Sequence, residues 1–251
     1  MKHQWFITVI TIAVILSGVR VAIQLPKETI VAQETAANKI ALPLSEGTYW
    51  LYEGVTKWTE ENSADLEEKK ITWRMEVIEN FQRGHLNVAV IKGHPADLVW
   101  YREGKQRGDY LIVEVNPGKY YLVMGDRVPE VLTRLKDEGD FLANLLEESE
   151  LFLESPLRDG QVFGPTSQLT RLDGAYRWNV EQQELVGLKA KRIASGSKTQ
   201  YRFTYRTAPD RVVVDFIPGV GMSRYQYLHH GTVSEIDVKL IEFQPGKEPE
   251  A

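Results

Sequence analysis

Residues 211–244 read RVVVDFIPGVGMSRYQYLHHGTVSEIDVKLIEFQ, and this stretch decides the fold. Val212, Val214 and Phe216 share one parity, while Val213, Asp215 and Ile217 share the other. Such a run suits a strand with a well-buried face. Pro218 lacks a backbone donor and Gly219 tolerates positive φ, so the pair turns the chain. Gly221 marks a bulge or a close backbone approach. Ser223, Tyr225 and Tyr227 then fall on one face of a second strand. His229-His230-Gly231-Thr232 reads as a hairpin tip. In the last strand Ile236, Val238 and Leu240 alternate with Glu235, Asp237 and Lys239, giving one buried and one solvated face.

The same grammar extends upstream. A first strand is expected over Gly47–Trp58, with Tyr49, Leu51 and Val55 packed and Gly54 at a bulge. A polar turn covers Glu60–Asp65. Ile71, Trp73, Met75 and Val77 alternate with Thr72, Arg74 and Glu76. Arg83-Gly84 turns the chain into Leu86, Val88 and Val90, and Gly93-His94-Pro95 ends that strand. Asp109–Val115 and Lys119–Met124 flank Asn116-Pro117-Gly118, whose spacing fits a type II turn. The pattern changes at Pro129. Val131, Leu132 and Leu135, then Phe141, Leu142, Leu145 and Leu146, have helical spacing, so one broken helix or two short ones are expected within 129–148. Strands resume around Trp178 and Val180 and around Tyr201, Phe203 and Tyr205. The reading gives about ten strands joined mostly by hairpins. This is a mainly β chain whose antiparallel sheet curls into a half-barrel with one helical insertion; the alternative is a two-sheet β-sandwich.

Composition sets the compartment. Lys2 precedes an uncharged apolar run from Trp5 to Leu16, so residues 1–25 read as a signal peptide or a membrane anchor. Residues 26–42 form a tether, 43–245 the β domain and 246–251 a loose tail. There are no cysteines among the 251 residues, which removes disulfides, thiol nucleophiles, cysteine metal sites and a lipobox. The formal net charge is −5, and loss of Lys2 and Arg20 with the N-terminal segment makes the domain still more acidic. An acidic chain without a basic stripe is a poor nucleic-acid partner.

Three quoted runs resemble a family of secreted bacterial β-rich proteins: FIPGVGMSRYQYLHHGTVSEIDVKLIEF, YWLYEGVTKW and VAVIKGHPADLVWY. The resemblance covers most of residues 47–243, and the C-terminal run is its most specific part. It is similar in turn to the LolA-like and LolB-like lipoprotein carriers. That likeness implies a curved antiparallel sheet that wraps helices and encloses acyl chains. It carries over no catalytic residue. This chain departs from the carrier pattern in having a single short helical region.

Candidate sites are few. His229, His230, Glu235 and Asp237 have metal-ligand chemistry, yet adjacent strand residues point to opposite faces, so no metal site is expected there. His94 with Asp97 and Ser223 or Ser234 makes a triad in composition only, and no G-x-S-x-G is present. Gly219-Val220-Gly221 lacks the helix and lysine of a phosphate loop. No cofactor is implied. The abundant aromatics read as core packing or as the lining of an apolar cavity. On the second reading Trp73, Trp100, Phe141, Leu142, Leu145 and Trp178 contact an apolar or lipid-like ligand, with the 131–146 helix as plug or lid. The expected protein is extracytoplasmic and non-catalytic, meeting the envelope or membrane surface through its N-terminus; the alternative is an extracytoplasmic hydrolase.

Overall fold

The computed structural model describes residues 42–59, 65–116, 118–185, 190–191 and 199–247. The expected turn at 60–65, the segment 1–25 and the tether 26–42 fall wholly or almost wholly outside them. Twelve strands form one antiparallel sheet among the described residues. They are β1 (Tyr49–Thr59), β2 (Leu66–Arg83), β3 (Leu86–Lys92), β4 (Asp109–Val115), β5 (Lys119–Val123), β6 (Leu151–Glu154), β7 (Val162–Phe163), β8 (Trp178–Glu184), β9 (Thr199–Arg206), β10 (Asp210–Ile217), β11 (Gly221–His229) and β12 (Ser234–Gln244). The order is β6-β5-β4-β3-β2-β1-β12-β11-β10-β9-β8-β7. All neighbours are consecutive in sequence except β1 and β12, which pair at the centre and join the two ends of the chain.

The edges are the shortest strands, and they come together. Cα atoms of β6 and β7 approach within 8 Å. Gln161 Nε2 crosses the seam to donate to Glu154 O at 2.9 Å. The sheet is therefore a nearly closed barrel, and short edges limit the unpaired backbone it leaves. The two edge strands are the ones sequence reading missed, because runs of four and two residues carry little periodicity.

One apolar cluster draws side chains from every strand, which identifies it as the lumen. Trp50, Tyr52, Phe163, Phe203 and Phe216 are each at most 2% exposed there. Burying side chains of this size contributes about 1.5–3 kcal/mol apiece. The parity of β1 differs from expectation: Trp50 and Tyr52 point inward, while Tyr49, Leu51 and Val55 do not join the buried set. Both parities are apolar there, and the larger even-numbered pair finds acceptors in the lumen. Trp50 Nε1 donates to Val220 O at 2.5 Å, and the Tyr52 hydroxyl to Met222 O at 3.1 Å. Gly54 is in regular register with Val238 and Ile71, so it is no bulge. It is required because a Cβ would lie 1.9 Å from Asp237 O. The bulge lies between Leu51 and Tyr52.

The helix also differs. α1 spans Arg127–Lys136 and ends there. The chain from Asp137 to Leu146 is a loop wound on two arginines. Arg83 Nη2 donates to Asp137 O, Glu138 O and Asp140 O, while Arg134 pairs with Asp140 and donates to Ala143 O. Leu142 and Asn144 adopt φ of 55° and 53°, which a helix excludes. Val128, Val131 and Leu135 of α1 pack on Leu86, Val88, Val90, Leu111, Val113 and Val123. Those strand residues alternate with the lumen set, so α1 covers the outside of the barrel and neither plugs nor lids it. No described helix is long and apolar enough to cross a membrane. At the other terminus, Gly246 N donates to Thr48 Oγ1 at 2.8 Å, so the expected loose tail begins fastened; 248–251 lie outside the described residues.

Candidate functional site

The six aromatic and aliphatic candidates fall in four places and form no single site. Trp73 is buried in the lumen and donates to Gly93 O at 2.9 Å. Trp178 sits at the lumen rim near Phe163, Phe203 and Tyr205. Trp100 is 44% exposed at the barrel mouth with φ 52°. Phe141, Leu142 and Leu145 are outside the barrel. They line a depression of about 550 Å³ beside Leu86, Val115 and Tyr121, with Phe141 98% exposed and Leu145 buried.

What covers the lumen at Trp100 is the segment between β3 and β4, Gly93–Gly108. Its 3-10 turn, Pro95–Leu98, buries Pro95 and Leu98. Leu98 and Tyr101 join the lumen cluster, and Tyr101 meets Trp58 at 5.0 Å between ring centres. The segment is stapled at both ends. Asp97 accepts from Gly108 N at 2.9 Å and from the Tyr110 hydroxyl at 2.7 Å. Across the mouth, Trp100 N donates to Ser234 Oγ at 3.1 Å, the Trp100 ring meets His229 at 4.8 Å, and Lys69 pairs with Glu103. Sequence reading took Gly93-His94-Pro95 as a strand end; its run into the lumen depends on a non-local fit with β11 and β12.

His94, His229, Ser223 and Ser234 are committed locally. His94 is 5% exposed, between Tyr110 at 5.1 Å and Tyr225 at 5.7 Å. Its Nδ1 accepts from Ala96 N at 3.1 Å, and burial pushes its pKa down to about 3, so the ring is neutral. Ser223 Oγ donates to Asp215 O at 3.0 Å, and Ser234 Oγ serves Trp100 N. His229 Nδ1 lies 2.8 Å from Asp210 Oδ1, which also accepts from the Tyr227 hydroxyl at 2.7 Å. Burial opposes ionisation of Asp210, but the bonds from His229, Tyr227 and Thr207 outweigh it and hold the carboxyl below its usual range. Asp237 is taken by Arg224, and Glu235 lies 4.0 Å from Lys57. Among the described residues no three His, Asp or Glu groups converge as a metal site.

The outward face of β8–β12 with β1 is the feature sequence reading missed. Register aligns Glu53, Lys239, Arg224, Asp215, Arg202 and Glu181 in one row across six strands. Arg202 grips Asp215 through two bonds of 2.7 and 3.0 Å, and Arg224 grips Asp237 through two of 2.7 and 2.5 Å. A groove of about 670 Å³ follows this row. A second depression, about 720 Å³, lies between the 171–176 loop and the β9–β10 turn. Arg211 lines both. Each residue was visible as the polar half of an alternating strand, but the row exists only through pairings such as Glu53 with Lys239.

No family model matches the chain, and no curated protein matches it. Two solved structures resemble it over most of their length. One, from Bacteroides fragilis, is described as a "putative exported protein with YmcC-like fold"; it shares 10% identity at a TM-score of 0.33, over 80% of this chain and 97% of that one. The other, a "putative lipoprotein" from Parabacteroides distasonis, shares 12% identity at a TM-score of 0.33, over 82% and 99%.

Proposed function

We propose that this is an exported, non-catalytic binding protein whose apolar lumen is its ligand compartment, stoppered by Gly93–Gly108. The observation that carries this reading is the stopper itself. The lumen is lined by aromatic and aliphatic side chains, and the segment over its mouth reaches the far rim through the Trp100 N–Ser234 Oγ bond, the Trp100–His229 ring contact and the Lys69–Glu103 pair. An apolar or lipid-like chain is the class such a lining accepts. Thr56 Oγ1 supports it further: it is buried on the inward parity of β1 with no hydrogen-bond partner, a polar point within an apolar interior. Export rests on the uncharged run Trp5–Leu16 after Lys2, which would also bring the domain to the envelope or membrane surface. The commitments of His94, Ser223 and Ser234 to backbone bonds favour binding over hydrolysis.

The test is uptake of a fluorescent fatty-acid analogue by the mature domain, beside Trp100→Ala. Stoichiometric uptake that becomes faster in the variant is expected, because the ring contact of the stopper with His229 is gone while the backbone bond to Ser234 remains. A variant with wild-type circular dichroism and no uptake, like its parent, would leave a permanently packed barrel and overturn the reading.

A further inference from the structure

We propose that the ligand of the lumen is a single-chain amphiphile with a carboxylate head, received at the mouth by Lys69, and that Glu103 of the stopper holds its place while the lumen is shut. With the lumen as the ligand compartment, the reading on which this rests, the stopper itself indicates what replaces it. Leu98 and Tyr101 are 1% and 6% exposed within the lumen cluster, in the room an acyl chain would take. Glu103, two residues on, is exposed and sets a carboxylate at the rim. The segment thus has the pattern of an amphiphile, with an apolar body inside and an anion at the edge.

The receiving group is built into the barrel wall. Trp73, Met75 and Val77 of β2 face the lumen and Ile71 packs against it, so Lys69 falls on the same inward parity at the mouth. Its ammonium bonds both oxygens of Glu103, one at 2.6 Å, and lies 5.6 Å from the centre of the Tyr101 ring. The Tyr101 hydroxyl donates to the same carboxylate at 3.2 Å. A carboxylate is therefore the group this position already holds, through charge-assisted bonds. Lys69 and Glu103 are 39% and 72% exposed, so the pair is weak enough to exchange.

Thr56 is a second, independent pointer. It stands directly opposite Lys69 in the register of β1 with β2, on the buried parity that carries Trp50 and Tyr52. Side chains so paired are about 5 Å apart at Cβ. Thr56 is 0% exposed, and its hydroxyl has no hydrogen-bond partner. A buried hydroxyl left unpaired is costly, and a carboxylate drawn inward to Lys69 would supply the missing acceptor. Glu103 bonds the ammonium and leaves that hydroxyl unmet.

The experiment is isothermal titration of the mature domain with dodecanoate, dodecanol and dodecyl phosphate, which share one chain and differ in the head. The wild type should prefer dodecanoate to both. Lys69→Gln should abolish the preference over dodecanol. Glu103→Gln, which removes the competing charge, should widen it about tenfold, each variant keeping wild-type circular dichroism. Equal affinity for dodecanoate and dodecanol, tighter binding of dodecyl phosphate, or a preference unmoved in Lys69→Gln would overturn the head-group assignment and leave the lumen as a ligand compartment. No binding of any of the three, by the wild type or by Glu103→Gln, would overturn both.

Discussion

The two halves of the barrel wall share one inside and have opposite outsides. On β3, β4 and β5 the outward positions are Val88, Val90, Leu111, Val113 and Val123, and α1 lies across them. On β12, β11, β10 and β9 the outward positions include Lys239, Arg224, Asp215 and Arg202, and no helix among the described residues covers them. Strand geometry is the same in both, and the inward residues form one continuous cluster. The difference therefore lies in a single parity of side chains. Two apolar faces require a covering layer, whereas a charged outer face satisfies itself through cross-strand ion pairs and remains available. One half is sealed by a helix, and the other is finished by its own ion pairs.

Acid should produce the largest effect, and it acts on the inside that both halves share. His94 has a folded pKa of about 3 against an ordinary 6.5. The unfolded chain therefore binds more protons between these values, and stability falls as pH drops from about 6.5 toward 3. The full loss is of order 4–5 kcal/mol. Denaturant melts from pH 7 to 4 should show it, and His94→Gln should flatten the profile. Asp210 adds a smaller loss of the same sign at lower pH, because its depressed folded pKa contributes stability only above its unfolded value.

In the covered half, Leu135→Ala should cost about 2–5 kcal/mol, since Leu135 is 1% exposed beneath α1. In the bare half, Asp215→Asn should cost less, about 1–3 kcal/mol, because Arg202 keeps access to water. Chemical denaturation of both variants checks the ranking; an equal or reversed order would break the contrast between the two faces. Phe141→Ser is the smallest, within about 0.5 kcal/mol, because that side chain is almost wholly solvated.

Sequence carried the local rules well. Alternation found ten of the strands, and β4 matches its expected span, Asp109–Val115, residue for residue. Gly231 has the positive φ that its hairpin tip requires, 120°. The helix was half legible: Val131 and Leu135 share a face, but Phe141–Leu146 kept helical spacing in a loop fixed by Arg83 and Arg134. Arginine-to-carbonyl bonds leave no trace in an apolar period. The lumen stopper and the charged row were illegible for a common reason. Both depend on strand register, from the hairpin pairings of β8–β12 to the pairing of β1 with β12, which joins residues nearly two hundred positions apart, and no local pattern encodes that register.

The most direct test of the contrast between a helix-covered wall and a self-paired wall is denaturation of Leu135→Ala and Arg224→Gln at low and high salt. The predicted result is a loss at Leu135 that salt leaves unchanged and a loss at Arg224 that shrinks as salt rises. A salt-independent loss at Arg224, or a salt-sensitive one at Leu135, would contradict the account.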